Sequence, residues 1–326
     1  MAAPREIEVD CHGPVTTAAW QILQVRWEEA RDLASAITAD PPASAIHNMR
    51  VATRRLRSAM RDFRRLIKFK PMRGPMKEIG QLADALGAVR DQDVAIAALE
   101  RFYGELKSEA GRDGLQQWKI GRIELRSSAL NELKLLISVE AIADLDARFT
   151  AALEKATARS GEDAPNFADA GGAIIAKSYR QLTHLSRGLY APHRRRPLHR
   201  MRIAAKRLRY ALELFAICGG EEMESAARDV AEMQTRLGDL HDCDVWIDDL
   251  GPMMRLLDQR QALTKTLTEI EQNVLVASVW LLGRLTRDRA KHFRDALTLW
   301  HDWTDSGFGG RLDRLGLGGR RDDDGV

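Results

Sequence analysis

The sequence has little cysteine and no regular cysteine pattern. Its 326 residues include three cysteines, Cys11, Cys218 and Cys243, which are far apart and odd in number. This usage fits neither a disulfide framework nor the paired spacing of a zinc site. We therefore expect a reducing compartment, where thiols stay unpaired.

Long apolar runs and strand-like alternation are also missing. The most apolar run, Val274 to Leu282, is far shorter than the roughly 20 residues that span a bilayer. The opening segment, MAAPREIEVD, carries acids and no apolar stretch, unlike a signal peptide. These features predict a cytoplasmic protein without a membrane partner.

Charge is nearly balanced over the chain but concentrated locally. The formal net charge is +3, yet residues 47–77 hold eleven Arg or Lys and one acid, Asp62. Residues 193–212 hold eight Arg or Lys, two His and no acid. Such blocks create a focused positive field, which indicates a strongly anionic ligand.

Both basic segments begin with the same motif. HNMRVATRRLR starts at His47, and HRMRIAAKRLR starts 152 residues later at His199, with seven of eleven positions identical. A second pair, LGAVRDQDV from Leu86 and LGDLHDCDV from Leu237, recurs at an offset of 151. Two motifs repeated in the same order predict an internal duplication.

Apolar residues recur at three- and four-residue steps, which predicts helices. With the duplication, this favours an all-α fold of two pseudo-symmetric four-helix bundles. We expect one domain over residues 12–305, divided into halves at 162/163. Two long helices joined near Gly111 and Gly114 should follow the first basic helix. Residues 306–326 are rich in glycine, and we expect them to be disordered.

The cations of each repeat share one helical sector when successive residues are placed about 100° apart. The predicted binding residues are His47, Arg50, Arg54, Arg57 and Arg61 in the first copy, and His199, Arg202, Lys206 and Arg209 in the second. Like charges at this spacing repel one another and destabilise the helix. The rows therefore indicate ligand binding and not a contribution to helix stability. Arg55 and Arg207 lie off the rows, and we expect them to pair with the aspartates of the second motif.

A linear phosphate polymer suits these rows best. Arginine and lysine both neutralise phosphate oxygens. Proteins that bind single-stranded nucleic acid usually interleave aromatic residues with cations, and these rows contain none, so RNA is the weaker alternative. We expect inorganic polyphosphate as the ligand.

A metal-dependent polyphosphate or nucleotide phosphohydrolase is the other alternative. His241-Asp242 is similar to the HD pair of such enzymes, but Arg90-Asp91 stands at the matching position of the first half. We find no catalytic residue, metal ligand set or cofactor motif to assign. The expectation is therefore a binding protein and not an enzyme.

The paired motifs resemble those of the CHAD family, the conserved histidine α-helical domain, over nearly the whole chain. The resemblance implies two helical bundles around a basic cavity that binds inorganic polyphosphate. It also implies targeting to polyphosphate granules, with granule proteins as partners. It identifies His47 and His199 as the name-giving histidines, and it assigns phosphate binding to Arg50, Arg54, Arg57, Arg202, Lys206 and Arg209.

Many CHAD proteins also carry an N-terminal CYTH domain, which acts on triphosphates. REIEVD, from Arg5 to Asp10, resembles the CYTH entry motif but has Asp10 where a lysine would stand, and no run of strands follows. We therefore expect a free-standing CHAD protein without CYTH activity.

Overall fold

The computed structural model describes residues 5–158, 165–264 and 266–315. These residues form helices joined by short turns, with no β-strand among them, so the predicted all-α class is confirmed. The α-helices are α1 (Val15–Asp32), α2 (Ala43–Phe63), α3 (Arg73–Glu105), α4 (Glu109–Leu136), α5 (Val139–Thr157), α6 (Phe167–Leu185), α7 (Arg195–Thr264), α8 (Glu269–Asp305) and α9 (Phe308–Leu315). The predicted boundary at 162/163 falls among residues 159–164, outside the described residues.

Three helices, and not two, follow the first basic helix α2. Ser108 and Ser138 precede α4 and α5, and their side chains accept hydrogen bonds from the backbone N–H groups of Gly111 and Ala141. Serine at such a position satisfies an N–H group that has no partner within the helix. The joint predicted near Gly111 and Gly114 falls at residues 106–108, between α3 and α4, and both glycines lie inside α4.

Gly220 divides α7 into two segments. Its φ of 59° lies in the left-handed region, which glycine adopts without the penalty of a Cβ atom. The segments 195–219 and 221–264 carry the second copies of the two motifs, as α2 and α3 carry the first. The break therefore corresponds to the linker between α2 and α3.

Two main hydrophobic cores each take helices from both halves of the chain. The larger one joins α1, α2, α5 and α6 to the first segment of α7, the beginning of its second segment, the end of α8 and α9. The second joins α3 and α4 to the second segment of α7 and to α8, with Phe102 packed edge-on against Trp246 and Trp280. The halves thus share their cores, an intermixing that the sequence repeats did not reveal.

One repeated clamp shows the duplication in three dimensions. In each half, an arginine of a later helix bridges the second aspartate of the acidic motif and the carbonyl of a proline before the basic helix. Arg126 lies 2.6 Å from Asp93 and donates to Pro41 at 2.9 Å, and Arg289 lies 2.7 Å from Asp244 and donates to Pro192 at 2.9 Å. The clamp fixes the start of each basic helix against its acidic motif.

Cys11 and Cys218 form a disulfide, with Cα atoms 5.7 Å apart. The expectation of unpaired cysteines was wrong, because the fold brings the N-terminal segment against α7 although the two residues are 207 positions apart. The reducing compartment inferred from unpaired thiols therefore loses its premise.

The disulfide closes a long loop, so Cys218→Ser should destabilise the protein by roughly 2–5 kcal/mol. Denaturant unfolding of the oxidised protein and the variant would measure the loss. Cys243→Ala, at the buried free thiol, separates loss of the cross-link from loss of a packed cysteine. Equal stability of the oxidised and fully reduced wild-type protein would contradict this expectation.

Residues 308–315 form a packed helix, so the predicted disordered tail was wrong for this part. Phe308 and Leu312 are buried one helical turn apart, and the Phe308 ring stacks on Trp303 with centroids 4.2 Å apart. Glycine content alone favoured disorder, but this apolar spacing gives the helix a buried face. Residues 316–326 lie outside the described residues.

Candidate anion-binding site

Both basic helices contribute to one cavity of about 720 Å³ between α2, α3 and the first segment of α7, but Lys206 is the one member of the second row in its lining. Its cationic lining consists of Arg50, Arg54, Arg57 and Arg61 from α2 and Lys206 and Arg207 from α7. The acidic side chains in the lining are Asp84 and Asp91 of α3. The cavity therefore has a strong excess of positive charge.

Glycines of the second motif lie beside arginine side chains of the first motif. A Cβ atom on Gly87 would lie 3.9 Å from Nε of Arg50, and one on Gly238 would lie 3.9 Å from Nε of Arg202. The two contacts are related by the repeat. A larger side chain at either glycine would therefore reach toward the guanidinium group.

The two histidines lie near the starts of the basic helices, outside the residues that line the cavity. Burial and the nearby charge of Arg90 lower the pKa of His47. The His199 ring lies 4.5 Å from the His241 ring between centroids, and burial followed by the charge of Arg202 lowers the pKa of His199. Both rings therefore favour the neutral form in the unliganded protein.

The remaining predicted residues, Arg202 and Arg209, have different surroundings. Arg202 does not line the cavity, but it is close enough to Asp242, Arg50 and Asp91 to feel their charges. Arg209 instead contacts Glu213 at 3.2 Å and lies over the Tyr210 ring at 4.7 Å. Its charge is therefore partly neutralised within the protein.

Two buried guanidinium donors of the cavity lining have no hydrogen-bond partner within the described protein. They are Nε of Arg50 and Nε of Arg54; Nδ1 of His199, outside the cavity lining, is also buried without a partner. A buried polar group without a partner costs about 1–3 kcal/mol, and more when it is charged. Anionic oxygens would remove that cost.

Crowding of like charges is strongest at Lys206. Burial, followed by the charges of Arg202 and Arg54, lowers its pKa from 10.5 to about 7. Burial also lowers the pKa of Arg54. In the unliganded site, burial and neighbouring cations therefore disfavour the protonated forms of these side chains. A bound anion would stabilise the protonated forms and raise both pKa values.

The two aspartates of each acidic motif have different roles. Asp93 and Asp244 belong to the clamps, whereas Asp91 and Asp242 face the basic cluster, and burial raises the pKa of both despite nearby arginines. The clamp partners are Arg126 and Arg289. The expected pairing of these motifs with Arg55 and Arg207 was therefore wrong.

Arg207 and Tyr210 were missed as site residues. Arg207 lines the cavity close to Arg61 and Asp62, because α7 crosses α2 at an angle that a single helical wheel does not represent. Tyr210 also lines the cavity, with Arg54 5.3 Å from its ring centroid. A comparison of the two repeats could have singled out Tyr210, because the matching position of the first repeat holds the much smaller Ser58.

The described residues were also compared with the requirements of a metal site and of a membrane-spanning helix. Within these ranges, His, Cys, Asp and Glu side chains do not gather in groups of three or more suited to a metal ion. None of the helices described has the length and apolarity needed to cross a membrane.

The sequence matches the CHAD domain family over residues 21–251. This match covers more than half of the chain, and the protein belongs to that family. The resemblance drawn from the two repeated motifs is thereby confirmed.

The chain is also similar to other proteins of known sequence or structure. The chain is 31% identical over 201 residues to "Uncharacterized protein Rv2226" of Mycobacterium tuberculosis, covering 61% of this chain but 38% of that protein's length. The CHAD domain from the plant Ricinus communis superposes with a TM-score of 0.65 at 22% identity, covering 91% of this chain and 96% of that one. PptA from Streptomyces chartreusis gives a TM-score of 0.61 at 16% identity, covering 89% and 100%. These two structures support the fold.

Proposed function

We propose that this protein binds inorganic polyphosphate in the cavity between α2, α3 and α7, without chemical conversion. The observation that carries the proposal is that two buried guanidinium donors, Nε of Arg50 and Nε of Arg54, have no partner among the described residues and belong to a cationic row that lines the cavity together with Lys206. Phosphate oxygens accept from arginine in bidentate geometry, and a chain of them supplies charge at every unit.

The shape of the site favours a phosphate chain over RNA. Tyr210, the aromatic residue beside the arginines, is only 4% exposed, and guanidinium groups lie near its ring. A base therefore has no free ring face there on which to stack. The cavity therefore offers cationic donors for phosphate groups and no stacking surface for bases.

Association with polyphosphate granules, and with the proteins on them, extends the proposal. A protein that holds polyphosphate with adequate affinity would collect wherever the polymer accumulates. The cavity variants described in the Discussion should lose this localisation together with binding.

Titration of the purified protein with long-chain polyphosphate tests the proposal. We expect tight binding at low salt, with log affinity falling linearly as log salt concentration rises. RNA at the same phosphate concentration should compete poorly, and phosphate release with Mg²⁺ or Mn²⁺ should stay at background. No measurable affinity at low salt would overturn the function, and sustained phosphate release would replace it with the hydrolase alternative.

A further inference from the structure

The duplication creates a second cavity on the other side of the crossing of α2 and α7. It has a volume of about 390 Å³, and Ser58 and Tyr210 line it as well as the first cavity. These two residues occupy matching positions, 152 apart. The cavities are therefore two equivalent openings of one pseudo-symmetric fold.

The two openings differ in charge at matching positions. Arg61 lines the first cavity, whereas the matching residue Glu213 lines the second. Glu213 contacts Arg209, the counterpart of Arg57, at 3.2 Å. The first opening thus presents a continuous cationic row. The second mixes charges, because Arg26, Arg55 and Arg228 share its lining with Glu213 and Glu224, and Arg228 pairs with Glu224 at 3.8 Å.

The residues that line both openings, Ser58 and Tyr210, differ in size although they occupy matching positions of the repeat. Tyr210 fills the position matched by the small Ser58, and its side chain is buried. Guanidinium groups of Arg54 and Arg209 lie 5.3 Å and 4.7 Å from its ring centroid. The ring therefore separates the cationic row of the first opening from the neutralised end of the second row.

We propose that Tyr210 and Glu213 close the second opening, so that the site receives the end of a polyphosphate chain and does not let the chain pass through. This inference rests on the function proposed above and adds the mode of binding. A terminal phosphate has three non-bridging oxygens where an internal unit has two, so it offers more acceptors to the arginines at the closed end.

Binding stoichiometry tests the inference. Wild-type protein is titrated with polyphosphate of two defined lengths, one several times the other, and the complexes are measured by light scattering. We expect two protein molecules per chain at saturation for both lengths, one at each end. Chains esterified at both ends should bind at least tenfold more weakly.

Each outcome has a distinct meaning. Protein bound in proportion to chain length, or unchanged affinity for end-blocked chains, would overturn end binding while leaving polyphosphate binding intact. Absence of binding to any chain would instead overturn the proposed function.

Variants test the two named residues. Tyr210→Ser with Glu213→Arg recreates the first opening at the second, and we expect more than two proteins per long chain and recovery of end-blocked chains. Glu213→Arg alone should act in the same direction if the double variant does not fold. Glu222→Arg, the same charge change at an exposed position outside both linings, should leave the count at two. An unchanged count in a folded Tyr210→Ser, Glu213→Arg protein would overturn the assignment of closure to these residues.

Discussion

Reversing two charges in the cavity, Arg50→Glu with Arg54→Glu, should weaken polyphosphate binding by about 100-fold or more at low salt. A hydrogen bond to a charged group contributes about 1.5–3 kcal/mol, so loss of two such contacts alone corresponds to roughly two to four powers of ten in affinity. The introduced carboxylates also repel phosphate. Arg202→Glu with Lys206→Glu should have a similar effect, because Lys206 lines the cavity and Arg202 is close enough to Arg50 to feel its charge.

Fluorescence anisotropy with labelled polyphosphate, over a range of salt concentrations, would measure these losses. Fewer phosphate contacts should also give a shallower dependence on salt. Lys177→Glu with Arg180→Glu, at exposed positions of α6, is the matched control for total charge. A cavity variant that loses no more affinity than this control would mean that polyphosphate binds elsewhere.

The repeat made the general form of the site predictable, because it recorded which cations share a helical face. The four arginines of α2 and Lys206 line one cavity, whereas the other predicted residues, His47, His199, Arg202 and Arg209, are not in its lining. What one helix cannot show is how a second helix crosses it. Arg207 was therefore assigned to the scaffold, although the crossing places it in the cavity.

Other features depend on contacts between residues distant in sequence. The Cys11–Cys218 bond needs the N-terminal segment to lie against α7, and cysteine spacing carries no trace of that contact. The burial of Phe308 depends on Trp303 and Tyr179, which the glycine-rich composition of the tail obscured. Differences between the repeats were also informative. The matching positions of Ser58 and Tyr210 line both openings, and the difference in side-chain size there makes the two openings unequal.

Binding of polyphosphate should draw a proton onto Lys206 above neutral pH. Its pKa of about 7 in the unliganded site should rise toward the ordinary value of 10.5 when an anion neutralises the surrounding arginines. Below pH 7 the amine is protonated with or without ligand, so it adds no pH dependence there. Between about pH 7 and 10 the bound state holds more protons, and affinity should fall by up to tenfold per pH unit. Calorimetry at pH 8.5 in two buffers of different ionisation enthalpy would measure the proton uptake directly.

Lys206→Met tests the role of this amine separately from the rest of the site. Most substitutions destabilise a protein, but we expect this one to stabilise the unliganded form. In the unliganded protein the lowered pKa means that the folded state binds fewer protons than the unfolded state between about pH 7 and 10.5, so this group makes stability fall as pH falls through that window. Replacing a poorly compensated buried charge by an apolar side chain should therefore stabilise the free protein at pH 7 by roughly 1–4 kcal/mol. The same variant should bind polyphosphate more weakly and lose the proton uptake, whereas Lys177→Met on α6 should change neither property. A Lys206→Met protein that is less stable than wild type, or that still takes up the proton, would show that Lys206 does not carry the strained charge of the cavity.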